Sequence, residues 1–167
     1  METLIHDFDA LRYLNPGAEP TEVYAVADAL VRPDFKDRGL LDTAVVVIRF
    51  SNGAIATAEA SFQAIYGYDI RGEVFGSAGM VTAGDIRRTS ATYYGAQGVA
   101  ADTWRRNIDL FHDAYVAQLA AFAGSVRTGA TPSPTGQDAR AALAIALAAI
   151  RSVETGGPVH LDEIEKE

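Results

Sequence analysis

Glu2, His6, Asp9 and Tyr13 stand at i, i+4, i+7 and i+11 in the first turns' worth of chain. At ~100° per residue that spacing places all four on one face of a helix. A carboxylate, an imidazole, a second carboxylate and a phenol in one stripe are the parts of a proton-transfer site. A neighbouring carboxylate orients the ring and raises its affinity for a proton. Leu4, Phe8, Leu11 and Leu14 fall on the opposite face, which predicts packing against a core. A solvated helix face that happens to hold a His has the same spacing, so the stripe alone leaves both readings open.

Other residues offer less. Asp7 adjoins His6 but projects to the other side of the helix, which suits capping or an internal ion pair. His112 is followed by Asp113, and sequence neighbours on a helix do not face one another. His160 lies beside the acidic end of the chain and is expected to be exposed. A metal centre on His6 and Asp7 needs two or three further ligands, from a chain with three His and no Cys. A Ser-His-Asp hydrolase needs a strand–turn–helix nucleophile elbow, and the sequence has none. Gly76-Ser77-Ala78-Gly79 sits between two expected strands without a following helix, so it reads as a tight turn rather than a phosphate cradle.

The elements that must position the stripe are those of one domain. The sequence has 167 residues, 49% of them hydrophobic and 22% charged, as in ordinary soluble globular proteins. A net charge of −8 argues against nucleic acid or an anionic membrane as partner. The absence of Cys and of a basic, apolar leader fits a cytoplasmic protein. The apolar run 141–150 is too short to span a bilayer. Residues 1–160 form the expected domain, and residues 161–167 an acidic, solvated tail.

Asn15-Pro16-Gly17 ends the first helix. Strands are expected over 22–30, 42–50 and 54–62, the last two joined by Asn52-Gly53, a type I′ hairpin signal. Ala44, Val46 and Ile48 alternate with Val45 and Val47, and Ala56, Ala58, Ala60 and Phe62 with Thr57, Glu59, Ser61 and Gln63. One sheet face therefore meets a core and the other is open. Further strands are expected before Gly76, over 80–83 and over 86–94, followed by a loop over 95–102. Two helices close the chain. One has an apolar stripe of Ile108, Phe111, Tyr115, Phe122 and Val126. The other starts at a capping box at Thr135 and carries Leu143, Leu147, Ile150 and Val153. The fold class is α+β: an open mixed or antiparallel sheet of about six strands, helices on one face, and no Rossmann domain.

Four phrases carry a resemblance. They are Ile5-His6-Asp7-Phe8-Asp9 with Leu11-Arg12-Tyr13-Leu14; Tyr66-Gly67-Tyr68-Asp69-Ile70-Arg71-Gly72-Glu73-Val74 with Gly76-Ser77-Ala78-Gly79; Phe111-His112-Asp113-Ala114-Tyr115-Val116-Ala117-Gln118-Leu119; and Pro134-Thr135-Gly136-Gln137-Asp138-Ala139-Arg140. In this order they resemble the C-terminal domain of the glucose-fructose oxidoreductase/inositol dehydrogenase (Gfo/Idh/MocA) family, its inositol 2-dehydrogenase branch in particular. The resemblance covers nearly the whole chain but only half of a family member.

It implies the substrate-binding and oligomerisation half of an NAD(P)-dependent polyol or sugar dehydrogenase. The family's catalytic residues fall on His6 and on Glu2, where the family usually has Asp. Its polyol site falls near Tyr66 and Tyr68, with Tyr13 added from the helical stripe. NAD or NADP is expected in a full-length member. This chain has neither the fingerprint glycines nor the family's Glu-Lys-Pro lysine, so it is expected to bind no cofactor and to be inactive alone. The implied partners are a second copy, as a homodimer or higher homo-oligomer through the open sheet face, a small polyol or sugar, and a nucleotide-binding half that a separate chain could supply. Met1 directly before the first phrase fits a chain begun at a domain boundary. The alternative is a stand-alone, non-catalytic oligomerising or polyol-binding module.

Overall fold

Helix α1 spans Ile5–Tyr13 in a computed structural model that describes residue 1 and residues 3–164. Its spacing works as an amphipathic helix should: Phe8 is 0% exposed and Leu4 1%. The apolar face is shorter than the sequence suggests, because Leu14 caps the helix and is exposed. Gly17, at φ +79°, makes the left-handed turn that releases the chain into the first strand.

The chain divides into two compact units, Met1–Gln63 with Ser133–Glu167, and Ala64–Pro132. In the first, strands β1 (Pro20–Asp28), β2 (Thr43–Phe50) and β3 (Ile55–Ser61) form an antiparallel meander. The short β8 (Val159–His160) pairs antiparallel with β1, giving the order β3-β2-β1-β8. The Asn52-Gly53 turn differs from its type I′ expectation. Only Gly53 takes positive φ there, and its N–H donates to the Phe50 carbonyl at 2.9 Å. One left-handed glycine after an ordinary turn closes this hairpin.

Period-two alternation is obeyed on all three long strands. Val23, Ala25, Val46, Ile48, Phe50 and Ala58 are buried. Tyr24, Val26, Val45 and Val47 line the open face, where Tyr24 lies opposite Val47 and Val26 opposite Val45. Helix α4 (Gly136–Thr155) and α1 cover the inner face. The buried side of α4 is Ala142, Ile145, Ala146, Ala148, Ala149 and Ser152, whereas Leu143, Leu147 and Ile150 are exposed. The alanines, rather than the bulkier residues between them, make the face that meets the sheet. Small side chains let the helix backbone approach the sheet closely, and close packing outweighs side-chain size here.

Ser152 also completes the sheet. Its hydroxyl accepts the Ala25 N–H at 2.9 Å and donates to the Gly157 carbonyl at 2.6 Å. β8 pairs only with Glu22 and Val23, so Ala25 lies past its end and takes a side-chain partner instead. The capping box at Thr135 is present, with Asp138 returning the bond. Helix α5 (Leu161–Ile164) buries Leu161, so the acidic segment begins as packed structure rather than as a solvated tail.

Asp42 is buried and fixes the loop after β1. It accepts the backbone N–H groups of Leu30, Val31 and Arg32 and the Thr43 hydroxyl, all within 3.2 Å. Burial pushes its carboxyl up, but these donors together outweigh burial and hold it below the ordinary value of 3.8. A carboxyl with a lowered folded pKa contributes stability above its unfolded pKa and loses it as pH falls through the folded one. The melting temperature of the wild type is therefore expected to fall as pH drops below the ordinary carboxylate value. Asp42→Asn should melt lower at neutral pH and lose less on acidification, which thermal denaturation at neutral and acidic pH measures.

The second unit holds two separate antiparallel hairpins, β4 (Gly72–Gly76) with β5 (Gly79–Ala83) and β6 (Arg87–Gly95) with β7 (Gly98–Thr103). The continuous sheet accordingly has four strands, not about six. Alternating polarity marks strands but not which sheet they join. β7 occupies the segment expected to be a loop, since pairing with β6 overrides the weak strand propensity of its alanines. Helices α2 (Asn107–Leu110) and α3 (His112–Thr128) meet at Phe111, and Tyr115, Phe122 and Val126 of the expected apolar stripe are exposed. The architecture is α+β, with an open antiparallel sheet and helices on one face.

Candidate functional site

On α1, His6 and Tyr13 are both exposed on the side away from Phe8. Seven residues at ~1.5 Å per residue separate them by ~10 Å, so they would touch different parts of a ligand and not each other. Asp9, half-buried between them, faces Arg12 at 3.6 Å. The same guanidinium reaches Asp138 and its carbonyl, tying α1 to the start of α4. Glu2, the expected partner of His6, lies outside the described residues. Asp7 is half-buried; burial pushes its carboxyl up, and the neighbouring His6 draws it partly down.

Tyr66 and Tyr68 belong to the second unit. The segment that holds them is irregular rather than a strand, and the end of β7 fixes it. Thr103 Oγ1 donates to the Tyr66 carbonyl at 2.5 Å, the Tyr68 N–H donates to the Trp104 carbonyl at 2.6 Å, and Arg105 donates to the Ile65 carbonyl at 3.2 Å. A Cβ on Gly67 would stand 2.8 Å from the Trp104 carbonyl oxygen, so glycine is what lets the two backbones approach.

The two tyrosines then differ. The Tyr68 ring is half-buried and meets Phe111 edge-on, with centroids 6.2 Å apart, as an aromatic packing residue does. Tyr66 is half exposed, and its hydroxyl donates to Asp69 at 2.8 Å. Arg71 grips Asp69 with two further bonds, at 2.8 and 2.9 Å. Burial raises the Asp69 carboxyl, but bonds from Arg71 and then Tyr66 bring it below its ordinary value. The bond to Asp69 in turn pushes the Tyr66 phenol up. Asp69 and Arg71 lie just where a strand is expected before Gly76, and a strand would not bring them together with Tyr66 in this cluster. The Tyr-x-x-Asp-x-Arg spacing is the signal that marks it.

The remaining histidines stand apart. His112 Nδ1 lies 3.0 Å from Asp113 at the exposed start of α3, so these neighbours do meet, contrary to the helical expectation. At a helix terminus the side chains are free to turn together. His160 is exposed on β8, 3.7 Å from Glu22. An open cavity of about 270 Å³ in the second unit is lined in part by Ile70, Arg71, Leu110 and Phe111. Among the described residues, no group of three or more His, Cys, Asp or Glu is placed to hold a metal, and no helix is long and apolar enough to cross a membrane.

The Gly76–Gly79 turn does not fit a dinucleotide. Gly76-Ser77-Ala78-Gly79 joins β4 to β5 as a hairpin turn, and β5 leads to another strand, so no helix N-terminus stands there to meet a pyrophosphate. What this chain offers chemically is an exposed imidazole on one rigid helix and a fixed phenol in the other unit.

Residues 1–161 match the family model described as the C-terminal alpha/beta domain of an oxidoreductase family. Over 165 residues the chain is 37% identical to the myo-inositol 2-dehydrogenase of Thermotoga maritima, covering 98% of this chain and 49% of that protein. It is 40% identical over 158 residues to the scyllo-inositol 2-dehydrogenase (NAD(+)) of Bacillus subtilis, covering 95% and 46%. The crystal structure of a myo-inositol dehydrogenase from Corynebacterium glutamicum superposes with a TM-score of 0.87 at 33% identity, over 94% of this chain and 47% of that one. The chain thus spans about half the length of the relatives it matches.

Proposed function

We propose that this chain, which belongs to the Gfo/Idh/MocA oxidoreductase family and comprises its C-terminal domain, is the substrate-binding and oligomerisation half of an NAD(P)-dependent dehydrogenase for an inositol-type polyol or sugar. The observation that carries this reading is His6. It sits in the family's first phrase, exposed on α1, while Phe8 two residues on is fully buried. The helix is held by the core on one side and offers an imidazole on the other.

In this reading neutral His6 accepts the proton of the hydroxyl being oxidised, with Glu2 at the place of the family's Asp. Tyr13, on the same helix, contacts a further hydroxyl; in the other unit Tyr66 offers its exposed phenol to a hydroxyl, beside Tyr68. The nicotinamide cofactor, when bound, takes the hydride, and the residues that would hold it lie outside this chain. Titrating the chain with myo-inositol while recording amide NMR spectra tests the binding role. Shifts are expected on α1 around His6 and, as a separate readout in the other unit, around Tyr66; an unchanged spectrum at tens of millimolar inositol would overturn it.

The open sheet face suits a second copy of the chain. Tyr24, Val26, Val45 and Val47 form an exposed apolar strip two strands wide, flanked by Glu59. A contiguous apolar strip of this kind favours association over solvation. Light scattering should report a dimer or larger, and Val47→Lys should shift it toward monomer. A wild type that stays monomeric at high concentration contradicts this part of the proposal. The rival function, a stand-alone module that binds a polyol without oxidising it, shares these residues and differs only in turnover.

A further inference from the structure

The Tyr66 phenol is held in one hydrogen-bonding sense. A phenol has a single proton, and here it is donated to Asp69 Oδ2 at 2.8 Å. Arg71 closes a fork on that carboxylate, Nε to Oδ1 at 2.8 Å and Nη2 to Oδ2 at 2.9 Å. The Asp69 side chain is only 9% exposed, so its charge depends on these partners rather than on water. A paired carboxylate is ionised and can only accept. The backbone beneath is equally fixed, through Thr103, Trp104 and Arg105. The ring nevertheless remains 49% exposed and open to a ligand.

We propose that Asp69, clamped by Arg71, is a positioning residue that makes Tyr66 an obligate hydrogen-bond acceptor, so that the group it receives from a ligand must be a donor, a hydroxyl rather than a carbonyl or an ether. With the proton committed to Asp69, the phenol oxygen has only its lone pairs left to offer a ligand. A hydroxyl meets them with its own proton. A carbonyl or ether oxygen brings a second acceptor and finds nothing to bond, and discrimination of this kind is stronger than shape alone supplies. The inference deepens the polyol reading above and rests on it.

The test is a double-mutant cycle on the full 167-residue chain, with myo-inositol as the probe. Tyr66→Phe and Asp69→Asn are each expected to weaken binding about tenfold, the size of one hydrogen bond. The double variant should be no weaker than Tyr66→Phe alone, because Asp69 acts only through the phenol. In ¹³C-tyrosine NMR without ligand, Asp69→Asn should let Tyr66 ionise at lower pH, which reports the Asp69–phenol bond in solution; the non-additive cycle is what a purely structural role for Asp69 would not produce. If Asp69→Asn fails to fold, Arg71→Lys takes its place. It keeps the charge but removes the fork, and should weaken binding severalfold in wild type and not in Tyr66→Phe.

Additive losses in the cycle, or a Tyr66 titration that does not move, overturn the role of Asp69. A wild type that binds myo-inositol while Tyr66→Phe binds it equally well overturns this inference and leaves the polyol reading standing. A wild type that does not respond to myo-inositol removes both.

Discussion

His6→Ala, in a protein that joins this chain to the N-terminal half of the Thermotoga maritima myo-inositol 2-dehydrogenase, is expected to slow polyol oxidation by ~10²- to 10⁴-fold. That is the range a positioned general base supplies. The same substitution should leave the melting temperature within about 2 °C, because exposed positions away from packing contribute within about 0.5 kcal/mol. His6 is exposed, and the core contacts of α1 come from Leu4 and Phe8 on the other side. A structural histidine would give the reverse pattern, a lowered melting temperature with turnover spared. Measuring kcat and thermal stability on one preparation separates the two. The expected loss should appear in kcat, since removing a proton acceptor affects the transition state more than substrate binding.

Phe8→Ala is expected to have the largest effect on the fold. Phe8 is fully buried in the cluster that includes Leu4, Val23, Ile48 and Ile145, where α1 and α4 meet the sheet. Truncating a buried Phe removes its transfer energy and leaves a cavity, together about 3–5 kcal/mol. For a chain of this size that lowers the melting temperature by roughly 6–20 °C. It is also a large share of the roughly 5–15 kcal/mol that holds a typical domain together. Alanine-rich α4 has no flexible side chain at hand to refill the gap, as its buried positions are mostly Ala142, Ala146, Ala148 and Ala149. Calorimetry measures the shift. A fall of under about 2 °C would mean that α1 is not part of the core. Two residues apart on one helix, His6→Ala and Phe8→Ala are thus expected to separate turnover from stability.

Much of this was legible before any coordinates. Helix α1 follows from the spacing of Leu4 and Phe8, the first hairpin from Asn52-Gly53, the open face from Val45 and Val47 against Val46 and Ile48, and the start of α4 from Thr135 and Asp138. Each is a local rule of period, turn or cap. What was not legible depends on partners distant in sequence. The alanines of α4 allow close approach, but which of its faces meets the sheet, leaving Leu143, Leu147 and Ile150 exposed, is decided by the surface opposite. β7 is a strand only because β6 lies beside it, and β8, two residues long, is invisible without β1. The candidate residues divide the same way. His6 and Tyr13 are found by helical spacing. The Tyr66–Asp69–Arg71 cluster forms in an irregular segment with no period to announce it, while Tyr68 turns its ring to packing against Phe111.

The proposed role is that of the substrate side of a dehydrogenase, its nicotinamide held by residues outside these 167. It is tested most directly by the rate of NADH or NADPH formation from myo-inositol, measured for the chain alone and for the same chain joined to the N-terminal half of the Thermotoga maritima relative. The account predicts no reduction of either nicotinamide by the chain alone and steady turnover by the joined protein. Reduction by the chain alone would contradict it, as would a folded joined protein that binds the nicotinamide but never oxidises the polyol.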